Sequence, residues 1–236
     1  MATLTNAKRF YKTVAVSPAG EGWEVTLDGR PVKSPAGAPL LFARRPLAEA
    51  VAREWDDQGE RLRPDTMPLY KMIATAADRV GPLRAEVVAV SLKFAETDLL
   101  CYRAQEPAEL TQLQAERWQP MLDWARNELG ADMRVTQGVI PVNQPAAALA
   151  ALQRALDGLD ELALTGVSAA AAATSSLVLA FAIARGRIDA AAAAEMALLD
   201  EAFQAGRWGE DREAARRRER IKAEIEDTVR FLKLIG

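Results

Sequence analysis

Trp23-Glu24-Val25-Thr26-Leu27-Asp28-Gly29-Arg30-Pro31-Val32-Lys33 is the stretch that decides the fold class. Trp23, Val25 and Leu27 alternate with Glu24 and Thr26, the period of two expected of a strand with one buried face. Asp28-Gly29 tolerates the positive backbone angles of a two-residue hairpin turn, so Arg30 to Lys33 should pair back on the strand before it. Pro31 lacks an N–H for the ladder and places that return strand at an edge. Upstream, Arg9 to Val16 favours an extended conformation. Downstream, Ser34-Pro35-Ala36-Gly37 makes another turn and Pro39 to Phe42 reads as a further strand. Residues up to about 44 therefore read as a small antiparallel sheet.

Outside this region the period changes to that of helices. Pro46 suits a first helical turn, and Leu47, Val51 and Trp55 follow at steps of four in a row that should face the sheet. Leu69, Met72, Ile73, Ala76 and Val80 form a second stripe closed by Gly81-Pro82, and Leu83, Val87, Val90 and Phe94 read as the seam of a third helix. Pro107 opens a helix carrying Gln114, Trp118 and Trp124, in which Pro120 makes either a bend or a restart. Arg134 to Ile140 reads as a short strand, and an alanine-rich helical region follows from Pro145. Leu162 to Ala184 is long enough to cross a bilayer, but its Gly, Ser and Thr content favours a buried bundle helix and no membrane span. Asp189 is a good N-cap, and a last helix begins near Asp211, packing through Ile221, Ile225, Val229 and Leu232. The expected fold is α+β: a small N-terminal antiparallel β-sheet domain with one or two helices over residues 1–80, followed by a larger, mainly α-helical domain over 81–236.

Composition removes whole classes of chemistry. The 236 residues, half of them apolar, can bury a sizeable core without covalent staples. The 30 basic and 33 acidic residues nearly cancel, so overall charge declares no polyanionic partner. There is no histidine, which removes the commonest general base, the Ser-His and Cys-His nucleophile pairs and imidazole metal ligands. Cys101 is the single cysteine, so no intramolecular disulfide or multi-cysteine metal site exists, and Cys101 itself reads as a small buried apolar residue. Dinucleotide, phosphate-loop and zinc-protease motifs are absent, and no catalytic residue, metal or cofactor is expected.

Two stretches remain as candidates for function. Glu195 to Glu210 reads as an amphipathic helix with Met196, Leu199 and Phe203 on its core side and Glu195, Glu201 and Gln204 on more polar sides. Gly206 should stop it, leaving Trp208, Gly209 and Glu210 in a turn, where Trp208 either fills a gap or offers an apolar ring to a partner. Around Trp55, Glu54, Asp56, Asp57 and Gln58 form a polar cluster, readable as a solvated face or as a carboxylate pair for acid-base chemistry. Arg212 to Arg220 could follow phosphates, which makes an RNA-binding helical protein the alternative reading, although Glu213 and Glu219 interrupt the basic stripe.

Taken in order, the motifs resemble one family. They are Arg9-Phe10-Tyr11-Lys12, Leu27 to Lys33 with Ser34-Pro35, Glu54-Trp55-Asp56 with Gln58, and Met67-Pro68-Leu69. Thr97-Asp98 with Cys101-Tyr102-Arg103 follows, then Gln114, Trp118, Pro120 and Trp124, and lastly Phe203-Gln204 with Trp208-Gly209-Glu210. The chain resembles the assembly chaperones of the F-type ATP synthase catalytic sector that bind its unassembled alpha subunit. Ser34 in place of Thr, Tyr70 in place of a small hydroxyl residue, and the arginine-rich tail depart from the pattern.

The resemblance implies a chaperone that uses neither nucleotide nor metal. It would cover the alpha-subunit surface that later meets the beta subunit and leave when beta arrives. It implies client contact through Glu201, Gln204, Trp208 and Glu210, with Trp55 and Asp56 contributing to binding or to the shape of the surface. A monomer with a protein client and no nucleic-acid partner is expected. The start of the chain lacks a secretory or transit pattern, which favours the bacterial cytoplasm, with the mitochondrial matrix as the site of a processed organellar form.

Overall fold

The computed structural model describes residues 7–138, 140–209 and 211–236. Within them the chain forms two compact units, one of residues 7–84 with 161–165 and 230–236, the other of residues 85–160 with 166–229. The architecture is α+β, with a three-stranded antiparallel sheet near the N-terminus and helices through most of the rest.

In the first unit β1 (Val14–Ala19), β2 (Gly22–Leu27) and β3 (Arg30–Pro31) pair in chain order, with β2 in the centre. Val16 faces Val25 and Leu27 faces Arg30 across the ladders. Asp28 and Gly29 take φ of 48° and 75°, the turn that the dipeptide foretold. The Asp28 carboxylate then accepts from the Thr13 N–H at 2.8 Å and its hydroxyl at 2.9 Å, which holds its pKa below the usual aspartate range. Pro39 to Phe42 is not a strand. It makes isolated bridges, Lys33 to Pro39 and Trp23 to Phe42, because the chain touches the sheet only at those points. Gly22 is needed there, since a Cβ would sit 2.7 Å from the Phe42 carbonyl. Thr26 is buried along with Val25 and Leu27, so the inner end of β2 is covered on both faces.

α1 (Arg45–Asp56) lays Leu47, Val51 and Trp55 into this core as its period predicts. Trp55 is only 2 % exposed, with Tyr70 and Tyr11 packed edge-on at centroid distances of 5.0 and 5.7 Å. The Tyr11 hydroxyl donates to the Trp55 carbonyl at 2.6 Å, and the Tyr70 hydroxyl to the Lys33 carbonyl at 2.9 Å. Burial pushes the Tyr70 phenol up to about 12, so it remains a donor at any working pH. The Ser34 hydroxyl donates to Asp78 at 2.5 Å and accepts from the Ala38 N–H, which ties the turn after the hairpin to the helical segment Ala76–Val80. Ser34 and Tyr70 thus both hold tertiary contacts here.

Glu54 is buried beside Trp55, and its two carboxylate oxygens accept from the N–H groups of Leu69 and Tyr70, each at 2.8 Å. These are donors of the first turn of α2 (Pro68–Thr75), which no intrahelical carbonyl can reach. Gln58 donates to the Glu54 carbonyl and to Thr66, and accepts from the Arg63 N–H, so the loop between α1 and α2 is held from α1.

In the second unit α3 (Arg84–Glu96) is rotated from the sequence expectation. Leu83 and Val90 are exposed at 45 % and 46 %, and Val88, Ser91 and Ala95 face inward instead. Ser91 tolerates this because its hydroxyl bonds the Val87 carbonyl and the Ser168 hydroxyl. β4 (Tyr102–Arg103) pairs in parallel with β5 (Thr136–Gln137), the short strand expected in that region. Between them α4 (Ala108–Leu129) runs unbroken through Pro120, with Trp118 wholly enclosed and Trp124 half-buried.

α5 (Ala146–Asp157) buries Leu152 and Leu156, and the alanine-rich region after it is two helices, α6 (Glu161–Thr174) and α7 (Leu177–Ala184). No helix among the described residues is long and apolar enough to cross a membrane. The break lies at Ser175, φ 53°, and Ser176 caps α7 through the Leu179 N–H. Asp98, fully enclosed, accepts from the Leu100 and Val178 N–H groups, both at 3.1 Å, which pins the short turn Leu99–Cys101 to the start of α7. Cys101 is buried in that turn, and burial pushes its thiol up to about 12, leaving it inert. α8 (Ala190–Ala197), α9 (Leu199–Trp208) and α10 (Arg212–Ile235) complete the chain.

Glu54→Ala removes both acceptors at once and leaves two enclosed donors, at a cost of about 2–4 kcal/mol, read as a lower urea midpoint with an unchanged m-value. Asp98 gives a pH signature. Burial raises its pKa from 3.8 to about 6, so the folded state holds its proton longer than the unfolded chain does. Its contribution is most favourable below the lower value and is lost as pH rises through the upper one. The advantage of wild type over Asp98→Asn should therefore narrow between about pH 4 and pH 6 in melting experiments; a gap that widens there contradicts the assignment.

Candidate functional site

The segment Glu195 to Glu210 is two helices rather than one. Leu198, at φ −108° and ψ 14°, interrupts the helical path between α8 and α9. Gly206 does not stop α9, which continues to Trp208 and ends at Gly209, whose φ of 87° only glycine adopts readily. Glycine inside a helix weakens it by about 1 kcal/mol relative to alanine, too little to end a turn that its neighbours support. Leu199 is buried as expected, whereas Met196 and Phe203 are half-buried and only partly in the core.

Glu201, Gln204 and Trp208 fall at i, i+3 and i+7 and so share one face of α9. Trp208 is 71 % exposed and Gln204 is exposed, so the reading in which Trp208 fills a gap does not hold. Glu201 is half-buried and paired with Arg217 of α10. That pairing takes one member of the arginine-rich stretch out of a free basic stripe, and Lys222 bonds Glu219 at 2.8 Å further along. Glu210 lies outside the described residues.

Asp200, which the sequence did not single out, turns away from this face. Its carboxylate accepts from the Gln114 side chain at 2.7 Å, and burial raises its pKa, with Glu201 adding to the shift. One turn further along α4, the Trp118 indole N–H donates to the Met196 carbonyl at 3.1 Å. Arg103 donates to the Gln114 carbonyl at 2.7 Å and to Leu100 at 3.0 Å, stacked 5.4 Å from Trp118. No spacing rule joins Gln114 to a residue 86 positions away, so local pattern could not have found this pair.

The Trp55 and Asp56 cluster belongs to the first unit. Trp55 is enclosed, whereas Asp56 is exposed. Arg9 reaches Asp56 at 3.3 Å, bonds the Asp56 carbonyl at 2.9 Å, and lies 4.6 Å over the Tyr11 ring. Asp56 therefore presents a surface ion pair, with Trp55 as the packing beneath it. No cluster of three or more potential metal ligands occurs among the described residues. Nor, among the described residues, do paired carboxylates converge with a second functional group in either place.

Comparison with known proteins agrees with this picture. A family model described as ATP12 chaperone protein matches residues 8–126. The crystal structure of Atp12 from Paracoccus denitrificans is 40 % identical and superimposes with a TM-score of 0.91, covering 98 % of this chain and 99 % of that one. A putative chaperone from Agrobacterium tumefaciens, the Atu1473 protein, is 38 % identical with a TM-score of 0.90, covering 97 % of this chain and 86 % of that one. Mitochondrial protein atp12 of Schizosaccharomyces pombe is 26 % identical over 214 residues, 86 % of this chain and 74 % of the relative. With its motifs, its fold and these relatives in agreement, the chain belongs to the ATP12 chaperone family, the assembly chaperones of ATP synthase.

Proposed function

We propose that this chaperone binds the free alpha subunit of ATP synthase, covers the surface that later meets the beta subunit, and is displaced when beta arrives. The observation that carries this reading is the exposed ring of Trp208, in line with Gln204 and Glu201 on one face of α9. A tryptophan is a costly residue to leave in water and a strong anchor at an interface, where rim charges select the partner. An unassembled subunit exposes an apolar interface that aggregates, and a reversible cover must match it without exceeding the affinity of the final partner. Release is then exchange between partners, with no nucleotide needed. The chaperone acts as a monomer in the compartment where the synthase is assembled, the bacterial cytoplasm or the mitochondrial matrix.

Glu210, outside the described residues, is a further proposed contact, and Asp56 with its Arg9 partner is another on the first unit. Trp55 acts beneath that contact by shaping it. The arginine-rich stretch of α10 serves α9 through the Arg217–Glu201 pair, which weighs against an RNA-binding role.

Co-expression with the alpha subunit tests the assignment. Glu201→Lys, Glu210→Lys and Trp208→Ala should each reduce soluble alpha while shifting the chaperone's own stability by no more than about 0.5–1 kcal/mol, the range for surface changes and exposed ion pairs. Normal protection of alpha by all three variants would show the face to be wrongly assigned. Trp55→Ala should behave differently, losing about 3–5 kcal/mol of stability because it empties a packed aromatic cluster.

A further inference from the structure

We infer that Gln114 and Trp118 of α4 are positioning residues for client capture, holding the break between α8 and α9 so that the Glu201, Gln204 and Trp208 face stands in one orientation. This rests on reading that face as the client site. Where a helix stops, its last carbonyls lose their intrahelical donors, and where the next one starts, its first turn needs new anchors. At the Leu198 break one side chain of α4 meets the carbonyl and another, one helical turn away on the same face, ties the first turn of α9 through the Asp200 side chain. Trp118, wholly enclosed, donates to the orphaned Met196 carbonyl, and Gln114, 1 % exposed, donates to Asp200 in the first turn of α9.

Gln114 has no freedom to reorient. Its amide oxygen accepts from the Ala104 N–H at 2.7 Å, its amide nitrogen is committed to Asp200, and its backbone carbonyl is held by Arg103. A glutamine so fixed dictates where the Asp200 carboxylate must lie. Glu201 follows directly in sequence and is braced from its other side by Arg217. The direction of α9 is therefore set by these hydrogen bonds, to which the buried Leu199 and the half-buried Phe203 add apolar packing. Apolar contacts would let such a short helix slide or roll; directed hydrogen bonds do not.

Reversing the hydrogen bond isolates the effect. Gln114→Glu sets two carboxylates against each other. Adding Asp200→Asn restores a bond with donor and acceptor exchanged: the introduced amide at position 200 donates to the introduced carboxylate at position 114, whose second oxygen still accepts from the Ala104 N–H. Asp200→Asn alone keeps the original bond. Backbone hydrogen exchange over residues 199–208 in the free chaperone should rise about tenfold or more in Gln114→Glu, and return to within about threefold of wild type in the double variant and in Asp200→Asn. Capture of the free alpha subunit should follow the same order. Trp118→Phe, which keeps most of the ring and removes the donor, should raise exchange at the same residues.

Unchanged exchange in Gln114→Glu would overturn the positioning role, as would loss of capture by Asp200→Asn alone, which would make that carboxylate a direct contact. If exchange follows the prediction while neither Gln114→Glu nor Trp208→Ala weakens capture, the positioning of α9 stands and the reading of its face as the client site fails.

Discussion

Helix ends enclosed in protein are the constraint on which this structure depends. A helix that stops beneath the surface leaves N–H or C=O groups that water cannot reach, and each unpaired group costs on the order of 1–3 kcal/mol. The chain meets this need from a distance. Glu54 supplies both oxygens to the start of α2, Asp98 does the same across the start of α7 and the turn at Leu99, and Trp118 serves the Met196 carbonyl at the break between α8 and α9, with Gln114 holding the Asp200 side chain beside it. Glu54, Asp98, Gln114 and Trp118 each lie within a motif on which the sequence resemblance rests, and each is enclosed. A large part of the signature is therefore architecture, and the residues free to meet a client are the few that remain outside.

The division is clearest where the sequence reads Glu54-Trp55-Asp56. Three adjacent residues take three different tasks: a buried carboxylate that caps a helix, an enclosed ring at the centre of an aromatic cluster, and an exposed carboxylate paired with Arg9. Their adjacency makes them look like one polar site. The same contrast separates Asp200 from Glu201, where neighbouring acids point into the body and toward α10 respectively. Charge type along the chain does not reveal which way a side chain faces at a helix terminus.

What is legible in the sequence is whatever period and turn chemistry control. The Asp28-Gly29 hairpin, the inward row Leu47, Val51 and Trp55, and the capping Asp189 follow from local rules and are found as expected. α3 differs because a stripe of large apolar residues outweighs small ones in any reading by hydrophobicity. Ser91 and Ala95 pack where Leu83 and Val90 are expected, since small side chains allow close approach and the serine is satisfied locally. The Leu198 break is hidden for a related reason. Alanine and leucine propensities run smoothly through it, and the bonds that stabilise the interruption come from α4, far away in sequence. The candidate site is legible in its exposed residues, Gln204 and Trp208, and illegible in the bonds that orient them.

A short helix tied to α4 by directed hydrogen bonds and carrying an exposed tryptophan is the surface proposed here for reversible association. The most direct measurement of that claim places a photoreactive side chain at position 208 and irradiates the chaperone with purified alpha subunit, with and without the beta subunit. The account predicts a crosslink to alpha that disappears once beta is added. Crosslinking from an exposed control on α3, position 86, with none from 208, would contradict it.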